Sequence, residues 1–74
     1  MPAPGVLVNL GIALVQVDRD AEAREIFRRV TALQPTDVGA HVNYAYTLVN
    51  TGRPDEAARE FRTAMGLEQD PRER

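Results

Sequence analysis

The chain repeats itself at an offset of 34 residues. Stepping from Leu10, Gly11, Leu14, Ala23, Phe27, Val30 and Leu33 by that interval gives Tyr44, Ala45, Leu48, Ala57, Phe61, Ala64 and Leu67. Eleven pairs are identical: Gly5/Gly39, Val8/Val42, Asn9/Asn43, Leu14/Leu48, Val15/Val49, Arg19/Arg53, Glu22/Glu56, Ala23/Ala57, Phe27/Phe61, Arg28/Arg62 and Leu33/Leu67. Chance would supply about two, since unrelated residues agree roughly one time in sixteen. A fixed period of this length means stacked copies of one supersecondary unit, none of which buries its apolar face alone.

Each unit reads as a pair of helices. Leu7, Leu10, Gly11 and Leu14 have the spacing of one helix face within an apolar segment from Gly5 to Val17. That segment is apolar on nearly every side, so it expects cover from more than one neighbour. Its β-branched content also permits a strand, but its counterpart Ala40 to Val49 is richer in alanine and polar residues. Asp18-Arg19-Asp20 breaks the pattern and puts acidic residues at the next helix start. Ala21 to Leu33 follows, with Ala23, Ile26, Phe27, Val30 and Leu33 as its stripe and Glu25 set to pair with Arg29. Pro35 stops it, and Thr36 or Asp37 can cap a third helix from Val38 to Asn50. Thr51-Gly52-Arg53-Pro54 is a turn, with glycine at a helix end and proline at the next helix start. Ala57, Phe61, Ala64 and Leu67 make the buried stripe of the fourth helix. Glu68 to Arg74, containing Pro71, reads as a charged tail. The fold class expected is all-α: two tandem antiparallel helical hairpins of an α-solenoid.

This pattern resembles the tetratricopeptide repeat, a 34-residue helix–turn–helix unit. Asn9-Leu10-Gly11, Leu14, Ala23, Phe27, Leu33 and Pro35 match its signature positions in the first unit. In the second, Tyr44-Ala45 stands for Leu-Gly, His41 replaces a bulky aromatic, and Ala57, Phe61, Ala64 and Leu67 fit. Pro71 comes two residues later than Pro35 would lead one to expect. The resemblance implies a leader over 1–3, repeats over 4–37 and 38–71, and a tail over 72–74. It also implies a non-catalytic module that binds a peptide or partner helix in the concave surface formed by the first helix of each unit. The matching positions are Val8, Asn9, Ile12, Val15 and Gln16, then Val42, Asn43, Tyr46, Val49 and Asn50. Asn9 and Asn43 can each offer a donor and an acceptor to a peptide backbone; the alternative is that they serve solubility or capping. The apolar members can equally be ordinary core. The family's basic clamp on a terminal carboxylate is not expected, because no arginine or lysine occupies these positions.

Composition excludes more than it proposes. There is no cysteine, so disulfides and thiolate metal sites are ruled out. Serine and lysine are missing too, which removes the common nucleophiles. His41 is the single histidine, and a packing role outweighs a catalytic one. No enzyme, cofactor, metal or small-molecule substrate is expected. All basic residues are arginine, and Arg24, Arg28, Arg29, Arg59 and Arg62 alternate with Glu22, Glu25, Glu56 and Glu60. A solvated mixed-charge face fits that better than a phosphate-binding strip. The net charge of −2 offers no general attraction to nucleic acid or anionic membrane. The apolar run from Val6 to Val17 is too short to span a bilayer, and no basic residue precedes it as in a signal peptide. A cytoplasmic location is the expectation.

Two units are fewer than an independent array of this kind usually needs. Phe61, Ala64, Met65 and Leu67 would face a missing capping helix, and the first helix is apolar all round. Self-association follows as an expectation: a homo-oligomer formed end to end or by helix exchange, or a piece of a longer array covered by a partner.

Overall fold

The computed structural model describes residues 3–68. They form four helices: α1 (Pro4–Gln16), α2 (Asp20–Leu33), α3 (Val38–Asn50) and α4 (Pro54–Glu68). Pro71, the 72–74 tail and the first two residues of the leader lie outside the described residues. Packing runs between chain neighbours, α1 on α2, α2 on α3 and α3 on α4. The result is two helical hairpins side by side, 42 × 28 × 17 Å in extent. The all-α hairpin architecture read from the sequence is the one observed.

Helix ends follow the local chemistry. Pro4 opens α1, where its missing N–H costs no helical bond. Pro54 does the same for α4. Asp20 and Glu22 occupy the first turn of α2, and Asp55 and Glu56 that of α4, facing the positive end of each helix dipole. Asp37, of the two cap candidates, caps α3: its carboxylate accepts from the Ala40 N–H at 3.2 Å. The two intra-unit turns are copies of each other. Asp18 and Arg19 donate to Val15 and Leu14 carbonyls at 3.0 and 2.8 Å; Gly52 and Arg53 donate to Val49 and Leu48 at 3.1 and 2.8 Å. Closing a helix this way requires a left-handed residue at its end. Gly52 takes φ 77° freely, whereas Asp18 takes φ 61° against its own Cβ.

The core is made of small residues around a few large ones. Leu7, Val30 and Ala40 form one cluster, bringing α1, α2 and α3 together, with Val8 and Ile26 packed on it. Ala45, Leu48 and Ala57 form the second, with Tyr44 and Phe61 alongside. Ala23 and Phe27 are also buried.

Several expectations shift in detail. Glu25 pairs with Arg28, three residues on, and not with Arg29. Leu10, expected on the buried stripe, is 46% exposed. Its counterpart Tyr44 is half-buried because α2 lies beside α3, and no described helix lies on that side of α1. Leu33 is exposed as well. Of the residues expected at the uncapped end, Met65 is exposed, Phe61 and Leu67 are half-buried, and Ala64 is buried.

Candidate functional site: an amide-rimmed apolar groove

The first helices of the two units frame a groove of about 370 Å³. Helix periodicity brings its walls together: Ile12, Val15 and Gln16 recur at i, i+3, i+4 on α1, and Asn43, Tyr46, Thr47 and Asn50 at i, i+3, i+4, i+7 on α3. Phe27 reaches in from α2 and is itself 2% exposed, so it forms the floor. Gly11 makes room for that ring. A Cβ at Gly11 would stand 2.6 Å from Phe27 Cζ, so any larger residue there would displace the floor.

No charged residue lines this groove. Its polar groups are the amides of Gln16, Asn43 and Asn50 and the hydroxyls of Tyr46 and Thr47. The Thr47 hydroxyl donates to the Tyr44 carbonyl at 2.8 Å, so its proton is already committed. Side-chain hydrogen bonds among the described residues do not engage the three amides. Each therefore retains a donor and an acceptor for an incoming group.

Among the residues singled out in the sequence, Ile12, Gln16, Asn43, Tyr46 and Asn50 come together here, with Val15. The others sit elsewhere. Val8 is half-buried against the Leu7–Val30–Ala40 cluster. Val42 is half-buried outside the groove. Asn9 and Val49 are exposed and line no wall of it. Two lining residues lie outside the sequence expectation for the groove: Phe27, which the sequence places on the apolar stripe of the second helix, and Thr47. Thr47 lies four residues after Asn43, and that spacing was its available signal.

The nearest cluster of titratable groups lies away from the groove. His41 Nδ1 is 2.6 Å from Glu60 Oε1, and its Nε2 is 2.7 Å from the Pro35 carbonyl. Both partners are acceptors, so an imidazolium, with two N–H groups, satisfies both. Burial works against that charge, but the hydrogen bonds of Glu60 and Pro35 and the charges of Glu60 and Asp37 outweigh it and raise the pKa above its ordinary 6.5. The ring is packed and hydrogen-bonded as a structural group. Burial likewise raises the Tyr44 phenol above its usual range.

A tetratricopeptide repeat profile matches residues 14–73. The chain belongs to the tetratricopeptide repeat family. Two curated relatives share part of this tetratricopeptide repeat sequence, the Protein O-mannosyl-transferase TMTC3 of Homo sapiens and that of Mus musculus. Each is 36% identical over 59 residues, which is 80% of this chain. The chain spans 6% of the length of either relative. Tetratricopeptide repeats are in general protein-interaction modules, and the groove lies on the surface where the first helices of both units meet.

Proposed function

We propose that this chain is a non-catalytic protein-binding module whose groove takes an uncharged segment of a partner protein. The observation that carries this reading is the chemistry of the groove: an aromatic floor, aliphatic walls and unengaged amides, with no charge. An apolar side chain seated on Phe27 removes area from water, while Gln16, Asn43 and Asn50 meet the polar backbone on either side of it. A peptide presented by its terminal carboxylate lacks a cation to receive it here. The transferase activity in the relatives' name belongs to proteins far longer than this chain, and we assign none of it here.

The test is a fluorescence-anisotropy titration with a set of end-capped peptides carrying Leu, Phe or Val in an uncharged context, beside the same peptides with free carboxylates. Capped peptides should bind at least as well as free ones, with little dependence on salt. A strict requirement for the free carboxylate would overturn the reading. A second reading, self-assembly, is favoured by the apolar face that α1 leaves open.

A further inference from the structure

The repeat allows each exposed residue to be compared with its counterpart in the other unit. On and just after α3, Ala40 and Thr47 are buried and Tyr44 and Thr51 are half-buried, because α2 lies against that face. Their counterparts on and just after α1 are Val6, Ala13, Leu10 and Val17. All of these are apolar and all are exposed, Val6 at 59% and Val17 at 62%. The face that α3 gives to α2 is thus repeated on α1, in more hydrophobic form. Its natural cover has the shape of α2, and α4 is the helix of that shape.

The side chains of α4 fit this role. In the observed α2–α3 contact, Val30 meets Ala40. The counterparts are Ala64 and Val6, so large and small trade places and the summed volume is kept. Val6 projects at 59% exposure, whereas Ala64 is covered within its own chain, so the short side chain lets a neighbouring helix come close. Tyr44 lies in the field of Arg24 and Arg28 on α2. The corresponding trio is Leu10 with Ala58 and Arg62, where an apolar pair replaces a polar one.

We propose that α4 of one copy covers α1 of the next as α2 covers α3, and that this junction builds a second groove equivalent to the one within the chain. Its walls follow from the same 34-residue offset. One copy contributes Tyr46, Val49 and Asn50 over Phe61 as the floor. The next copy contributes Asn9, Ile12 and Gln16. The Tyr46 and Phe61 rings already stand edge to face at 5.7 Å, the place that Ile12 and Phe27 take in the first groove. Asn9 and Val49 are the two exposed residues among the four that the intramolecular groove leaves out, and the junction gives both a position in a binding wall. The contact joins unlike surfaces, so nothing stops it at two copies and assembly continues with concentration. This rests on the self-assembly reading and does not require that any peptide bind.

The native chain has no cysteine, which makes cross-linking clean. Val15→Cys with Asn43→Cys in one chain sets the ruler: a bis-maleimide is chosen that bridges the intramolecular groove. The same reagent is then applied to Val49→Cys chains mixed with Asn9→Cys chains. The expected result is several-fold more linked dimer in the mixture than in either population alone. Equal yields, or an excess from one population by itself, overturn the arrangement. Sedimentation of the native chain should show mass rising beyond a dimer with concentration. A persistent monomer at millimolar concentration, or a plateau at two copies, overturns it too. Leu10→Arg should lower the mass to that of a monomer with helicity unchanged, since it opposes Arg62 of the preceding copy. Leu10→Glu should lower it less, and the reverse order would contradict the register. None of these measurements reads peptide binding, so failure here leaves the intramolecular groove to stand or fall on its own titration.

Discussion

The Phe27 ring occupies the space where a side chain on Gly11 would begin. A Cβ there would lie within 2.6–3.0 Å of three ring atoms. The second unit resolves the same position differently: Ala45 replaces the glycine, and Phe61 is half-buried beside Tyr46. Gly11→Ala should therefore destabilise the chain by about 1–3 kcal/mol through overpacking. Combining it with Phe27→Leu should be less harmful than the sum of the single changes, because the contact that causes the strain is gone. Urea denaturation followed by circular dichroism measures all three variants; strict additivity would show that the contact is not the cause.

His41 and Glu60 stand where the first unit has Leu7 and Ile26. One hairpin closes with an apolar pair and the other with an ionic one. Because the His41 pKa is raised in the folded chain, its contribution to stability is complete below the ordinary imidazole value. It is lost as pH rises through the folded value. The His41–Glu60 pair should thus make the chain more stable at about pH 5.5 than at about pH 8.5. His41→Leu with Glu60→Ile should flatten that slope and leave stability equal or higher, by up to about 1–4 kcal/mol. Glu60→Ile alone leaves an imidazole nitrogen without its partner and should cost about 1–3 kcal/mol. An unchanged pH slope in the double variant would place the dependence elsewhere.

Asp18 holds the left-handed turn that Gly52 holds in the second unit. Asp18→Gly should raise stability by about 0.5–1 kcal/mol, the relief of strain exceeding the added freedom of the unfolded chain. Gly52→Ala should lower it by about 1–2 kcal/mol. Thermal melts of the two variants give the comparison, and a fall in stability for Asp18→Gly would mean that the aspartate side chain contributes more than its backbone costs.

For the groove, Asn43→Ala and Asn50→Ala should each weaken a bound capped peptide by about fivefold to tenfold, one hydrogen bond's worth. Val42→Ala, outside the groove, should leave affinity unchanged. Equal effects from all three would argue that binding happens elsewhere on α3.

The sequence disclosed the helical pairing because it states it twice. Ala23 and Ala57, or Phe27 and Phe61, identify the buried positions by recurring in register. What the repeat could not express is the difference between a unit with a neighbour and one without. Leu10 and Tyr44 occupy equivalent positions, yet one is exposed and the other half-buried, since burial depends on what stands beside the helix. The groove was legible along α1 and α3, where Ile12, Gln16, Asn43, Tyr46 and Asn50 share the spacing of one helix face. Its floor was not, because Phe27 enters from another helix and its aim depends on the α1–α2 packing that Gly11 permits. Glu60 as the partner of His41 was equally hidden, 19 residues away on a separate helix.

Each helix rests chiefly on the helices before and after it in the chain. None of the described helices must wait for a distant segment to return. A nascent chain can settle α1 on α2 while α4 is still being made, and the loop-closure entropy at every step is that of a short connection. The arrangement also tolerates growth: inserting one more hairpin between α2 and α3 would interrupt a single contact and recreate it twice. Lengthening by duplication is thus compatible with folding at every intermediate stage.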